Sequence, residues 1–151
     1  MKANLLYQQD FYQWTQQMAE ALQHGHYEKL DLENLAEEIE SLGRSEKREL
    51  RSRLQILLMH LLKWQYQPQR RSHSWQSTIT EQRVQINGLL QDSPSLRPYL
   101  VEIFEDCYET ARTLAAGETG MAIAHFPTSS LYSIEETLQL DYWIDSPDVP
   151  E

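Results

Sequence analysis

Cysteine occurs once, at Cys107. No internal disulfide can form, so the chain suits a reducing compartment. Glycine is scarce, and its five occurrences build neither a phosphate-cradling Gly-x-x-x-x-Gly-Lys loop nor a Gly-x-Ser-x-Gly elbow. No strand-like alternation and no internal repeat is present. The longest nearly apolar run, "LQILLMHLLKW", is about half a membrane span and holds Gln55, His60 and Lys63. No membrane span is expected from it. "MKANLLYQQDFYQW" lacks the basic, apolar and small-residue order of a secretory leader, so a cytoplasmic location is expected.

Charge is present in quantity and unevenly spread. The chain of 151 residues carries a net charge of −10. Between residues 44 and 71 stand eight cations (Arg44, Lys47, Arg48, Arg51, Arg53, Lys63, Arg70, Arg71) and two acids, Glu46 and Glu49, a local +6 that leaves −16 for the rest. An acidic whole disfavours nucleic acid as a partner, and the basic band keeps it open as an alternative.

Helix signals organise the chain. Asp10 caps a first helix reaching about Gln23, where "HGH" breaks it. Asp31 caps a second, "LENLAEEIESL", with Gly43 set to end it in the left-handed conformation. Its apolar stripe is Leu32, Leu35, Ile39 and Leu42. Ser45 then caps a third helix from about Glu46 to Tyr66, apolar most of the way round and therefore expected to be the central, most buried element. Pro68 stops it. A fourth helix spans about Ser74 to Gln91, with either Arg83 or Val84 in its looser stripe. A fifth starts at Pro98 and ends at Gly120. From about residue 127 the chain is expected to be mostly irregular and acidic, with Ser133 and Glu136 matching a capping box for one short helix. The expectation is an all-α single-domain bundle over residues 1–151, with about five main helices.

The stretches "DFYQWTQQMAEALQ", "DSPSLRP", "ETGMAIAHFP" and the long block from "LDLENLAEEIESLGRSEKRELRS" to "QPQRRSHSW" resemble an uncharacterised bacterial family, domain of unknown function 29, common in cyanobacteria. The resemblance implies an all-helical bacterial domain. It implies no catalytic residue.

Candidate chemistry is sparse. Glu38 and His60 could form an acid–base or metal-binding couple, but no Glu-x-x-His or His-Glu-x-x-His spacing supports it. A neutral His60 hydrogen-bonded inside the core is the plainer account. His24 and His26 lack a third ligand. Acidic neighbours Glu105, Asp106 and Glu109 should raise the Cys107 thiol pKa, the wrong direction for a nucleophile. No metal or organic cofactor is expected. Glu38 and Glu40 are expected to pair with Arg44, Arg48 and Arg51 across a tight reversal at Gly43, with the second and third helices antiparallel. Such exposed pairs contribute about 1 kcal/mol or less.

That leaves "HLLKWQYQPQRRSHSW" at residues 60–75. Trp64 falls on the buried stripe. Arg70 and Arg71 are expected as an exposed cationic pair beside Trp75, a candidate interaction surface. The same arginines could instead neutralise the carbonyl end of the third helix. The expected function is a non-catalytic protein–protein interaction module with an unknown protein partner and homo-oligomerisation left open. The alternative is a nucleic-acid-associated protein; an enzyme is the least supported.

Overall fold

The Asp10 carboxylate accepts a hydrogen bond from the Gln13 amide at 3.0 Å, satisfying one of the free donors that begin a helix. A computed structural model describes residues 2–144, with side chains from Leu5 onward. Six α-helices lie among the described residues: α1 (Lys2–Gln9), α2 (Phe11–Gln23), α3 (Leu32–Tyr66), α4 (His73–Asp92), α5 (Arg97–Thr119) and α6 (Ile134–Leu138). No strand occurs among them. The all-α expectation holds, with α1 an addition to the helices read from sequence. The "DSPDVPE" end of the acidic tail, residues 145–151, lies outside the described residues.

The expected reversal at Gly43 does not occur. α3 is one helix of 35 residues that runs through Gly43 and Ser45. Among the described residues positive φ is confined to Gly25 and Gly120. A single glycine inside a helix costs about 1 kcal/mol against alanine. Forfeiting the hydrogen bonds of an extending helix and nucleating a new one costs more. Arg44 further braces this stretch, reaching Glu37 at 2.9 Å and Glu40 at 3.8 Å along the same helix. The antiparallel packing of residues 32–42 on residues 46–66 is therefore corrected.

The chain clusters into two compact units, residues 1–45 and 46–151. In the first, Trp14, Met18 and Ala21 form the buried face of α2 at i, i+4 and i+7. Gly25, at φ +70°, supplies the left-handed turn after α2. Asp31 then starts α3, its carboxylate accepting from the Asn34 amide at 3.4 Å and from the Asn34 side chain at 2.7 Å.

In the second unit the core gathers Leu50, Leu54, Leu57 and Leu61 of α3, Ile79, Ile86 and Leu90 of α4, and Leu100, Ile103, Phe104 and Cys107 of α5. The expectation that residues 46–66 are the most buried holds, with Leu50, Leu54 and Leu57 fully inaccessible. Ser72 caps α4 through the Trp75 amide at 3.1 Å. Gly120 ends α5 at φ +71°. The capping box of Ser133 and Glu136 opens α6. The chain from Phe126 onward contributes to the core as well, since Phe126, Tyr132 and Leu138 are buried in it.

Candidate interaction surface

In the first unit, aromatic residues recur at positions 7, 11 and 14. The Tyr7 and Trp14 ring centroids stand 4.8 Å apart edge to face, and Phe11 stacks on Trp14 at 5.7 Å. The Tyr7 hydroxyl donates to a carboxylate oxygen of Glu38. That hydrogen bond is the main reason its phenol pKa lies above the usual value. Glu38 thus meets a tyrosine, and the acids that meet Arg44 are Glu37 and Glu40. Arg48, expected among the ion pairs, is exposed. Arg51 gains its raised pKa chiefly from a side-chain hydrogen bond with Tyr99.

The apolar stripe of residues 32–42 does not have the burial expected of it. Leu32, Ile39 and Leu42 are 69%, 67% and 68% exposed. Five further large apolar side chains of the same unit are also exposed: Leu5, Phe11, Tyr12, Leu22 and Tyr27. An open groove of about 1020 Å³ lies between α2 and the start of α3, lined by Met18, Ala21, Leu30 and Leu32 together with polar and charged residues such as Glu20, Lys29 and Glu33. Sequence periodicity found this stripe but assigned it to the core. An apolar face looks the same in sequence whether the fold or a partner covers it.

The aromatic and basic stretch at 60–75 is built into the second unit. Arg71 Nε donates to the Trp64 carbonyl at 2.8 Å, and its guanidinium lies 4.9 Å from the centre of the Trp64 ring. It holds the carbonyl end of α3 and is partly covered, so the expected exposed pair is reduced to Arg70. Trp75 is half-buried, with Lys63 Nζ 4.6 Å from its ring centre. Lys63 also reaches Glu118 at 3.1 Å. Arg53 is tied to Glu49 at 2.9 Å. Much of the basic band is thus engaged along its own helices or against aromatic rings.

Nor are the titratable candidates assembled into a reactive group. His60 Nδ1 donates to the Ile56 carbonyl at 2.9 Å, and burial lowers its pKa despite that bond. Burial, rather than the acidic neighbours, pushes the Cys107 thiol up to about 11; Arg51 opposes this shift and Asp106 adds to it. Among the described residues no group of three or more His, Cys, Asp or Glu is placed to hold a metal ion. No helix there is long and apolar enough to cross a membrane.

One buried cation was only half visible in sequence. Arg83, rather than Val84, occupies the core position of α4. Its Nε donates to the Thr137 carbonyl at 2.8 Å and its Nη2 to the Glu136 carbonyl at 3.3 Å. The guanidinium lies 5.3 Å from the Trp143 ring centre. Burial lowers its pKa. Arg83 thereby fastens α6 to α4 from inside; the i, i+3/i+4 spacing from Ile79 to Ile86 was the available signal.

The family model described as Domain of unknown function DUF29 matches residues 6–143. The chain belongs to that family. No curated protein and no solved structure matches it. The DUF29 match takes in most of the described residues of both units.

Proposed function

We propose that this DUF29 chain is a non-catalytic protein–protein interaction module that docks through its first unit. The observation that carries the reading is the concentration of exposed apolar side chains there. Among the described residues eight large ones stand in the first unit, against six in the much larger second unit. Water-exposed apolar clusters of this kind mark surfaces that a partner covers. Leu32, Ile39 and Leu42 stand on a helix, a rigid platform for such contact.

Nucleic-acid association through the basic band is less well supported. Arg44, Arg53 and Lys63 have carboxylate partners, and Arg71 sits on Trp64. The cations that could grip phosphates are fewer than the sequence suggested.

The test is capture of partners by the full chain from a native lysate, with each bound protein identified. Wild type is compared with Ile39→Glu and with Arg70→Ala. Docking through the first unit predicts that Ile39→Glu loses the captured protein while Arg70→Ala keeps it. A mobility shift with DNA or RNA that weakens with salt, and is lost in Arg70→Ala but kept in Ile39→Glu, would overturn the reading in favour of nucleic acid.

A further inference from the structure

The groove between α2 and the start of α3 joins an apolar lining to unmet negative charge. Its lining carries Glu20, Glu28, Asp31 and Glu33 against Lys29. Asp31 is engaged at the start of its own helix, where both carboxylate oxygens meet Asn34. Glu20, Glu28 and Glu33 are exposed, and neither they nor Lys29 has an ion-pair partner among the described residues. The next acids along α3 differ: Glu37 and Glu40 meet Arg44, and Glu38 meets Tyr7. From Glu20 to Glu40, the carboxylates left without a partner thus stand at the groove.

Local hydrogen bonds preform this groove. Gly25 turns the chain at φ +70°, the His26 amide donates to the Ala21 carbonyl at 2.8 Å, and the Asp31 amide donates to Met18 Sδ at 3.4 Å. Little ordering is then needed when an occupant arrives. Met18 has a flexible, polarisable side chain that fits varied apolar shapes. The volume of about 1020 Å³ stands at the top of the range for small-molecule pockets, about 300–1,000 Å³. An ion or one side chain would leave it mostly water; a run of several side chains fills it. The acids repel nucleic acid and anionic lipid. They attract lysine and arginine, whose apolar stems can lie along the same lining.

We infer that the occupant of this groove is a basic amphipathic segment of a partner protein, its apolar side chains on Met18, Leu30 and Leu32 and its cations beside Glu20, Glu28 and Glu33. The inference rests on the docking reading above and gives that partner its chemistry. Such a segment docks as an amphipathic helix does in a groove, by apolar anchors on one face flanked by charge.

Fluorescence anisotropy with the full chain tests it. The probe is a labelled synthetic peptide of leucine and lysine in a helix-amphipathic order. One counterpart has glutamate in place of lysine, and another has the same composition with its leucines scattered round the helix. The amphipathic lysine peptide should bind saturably, the scattered one several-fold more weakly, and the glutamate one not at all. Glu28→Lys with Glu33→Lys, at an unchanged helical spectrum, should weaken binding about tenfold or more, since two attractive contacts become repulsive. Glu81→Lys with Glu102→Lys makes the same change in net charge at exposed acids outside the groove lining, and should leave binding within about twofold. No binding of the amphipathic lysine peptide overturns the inference. So does equal binding of the scattered peptide, or an equal loss in the two double variants, which would mean unspecific attraction to an acidic chain. If the peptide does not bind yet Ile39→Glu abolishes capture of an identified protein, the groove inference fails while the docking reading stands.

Discussion

The two ends of α3 present one apolar arc in opposite circumstances. Leu50, Leu54, Leu57 and Leu61 fall on the same arc of the helical wheel as Leu32, Ala36, Ile39 and Gly43. The downstream set is buried under α4 and α5; upstream, Leu32 and Ile39 stand mostly in water. Among the described residues the first unit buries Trp14, Met18 and Ala21 alone, while the second gathers 22 buried residues in one core. Identical periodicity therefore means core where other elements of the same unit close over it, and an exposed apolar face where they do not. The polar groups follow the same division. In the second unit, buried Lys63, Arg83 and Arg112 reach acceptors on other elements or loops. In the first, the Arg44 pairs run along a single exposed helix.

The largest effect belongs to the covered end. Leu57→Ala or Leu61→Ala should destabilise the protein by roughly 2–5 kcal/mol in denaturant unfolding, since each removes fully packed side-chain volume. A loss below about half a kcal/mol at both sites would break the comparison, because the arc would then be no better packed downstream than upstream.

Trp14→Ala addresses the other unit. It removes the largest of three buried side chains, so hydrogen exchange should show α2 amides losing protection while α4 and α5 keep theirs. Loss of protection in α5 to the same extent would show that the two units unfold as one.

Arg71→Ala should cost about 1–2 kcal/mol, because the Trp64 carbonyl loses its donor and the ring its cation. Arg70→Ala should stay within about 0.5 kcal/mol. Equal effects would place the two arginines in equivalent surroundings after all.

Gly43→Ala should stabilise by about 0.5–1 kcal/mol, since the position is helical and the added methyl meets nothing. A destabilisation would mean that the chain reverses at this glycine.

The smallest effect is a pH dependence. Burial lowers the His60 pKa in the folded chain. Below the ordinary value of about 6.5 the unfolded chain takes up a proton that the folded chain does not. Stability from this group should therefore fall as pH drops below that value, and the fall should end once the folded-state pKa is passed. His60→Gln should flatten the melting temperature between pH 7 and 5 relative to wild type.

The site was legible in the sequence where the signal is local and not where it depends on what lies opposite. The caps at Asp10 and Ser133 and the left-handed Gly120 needed only neighbouring residues. Arg71 was seen both as an exposed cation and as a helix-end partner, and contact with Trp64 selects the second. The aromatic and basic stretch drew attention because of its composition, yet the exposed apolar residues lie earlier, in a stripe that looked like ordinary core.

By itself the sequence determined the helical class, the proline and glycine stops after α3 and α5, and the apolar arc along α3. These follow from backbone sterics and side-chain periodicity, which act over a few residues. Tertiary structure decided that α3 runs through Gly43, that Arg83 is fully buried, and that half of one arc is covered while the other half faces water. Those outcomes depend on free-energy differences of one or a few kcal/mol between a local preference and the packing or hydrogen bonding available around it. A lone glycine yields to an extending helix because its penalty is small, and an apolar stripe is buried only where another element arrives to cover it.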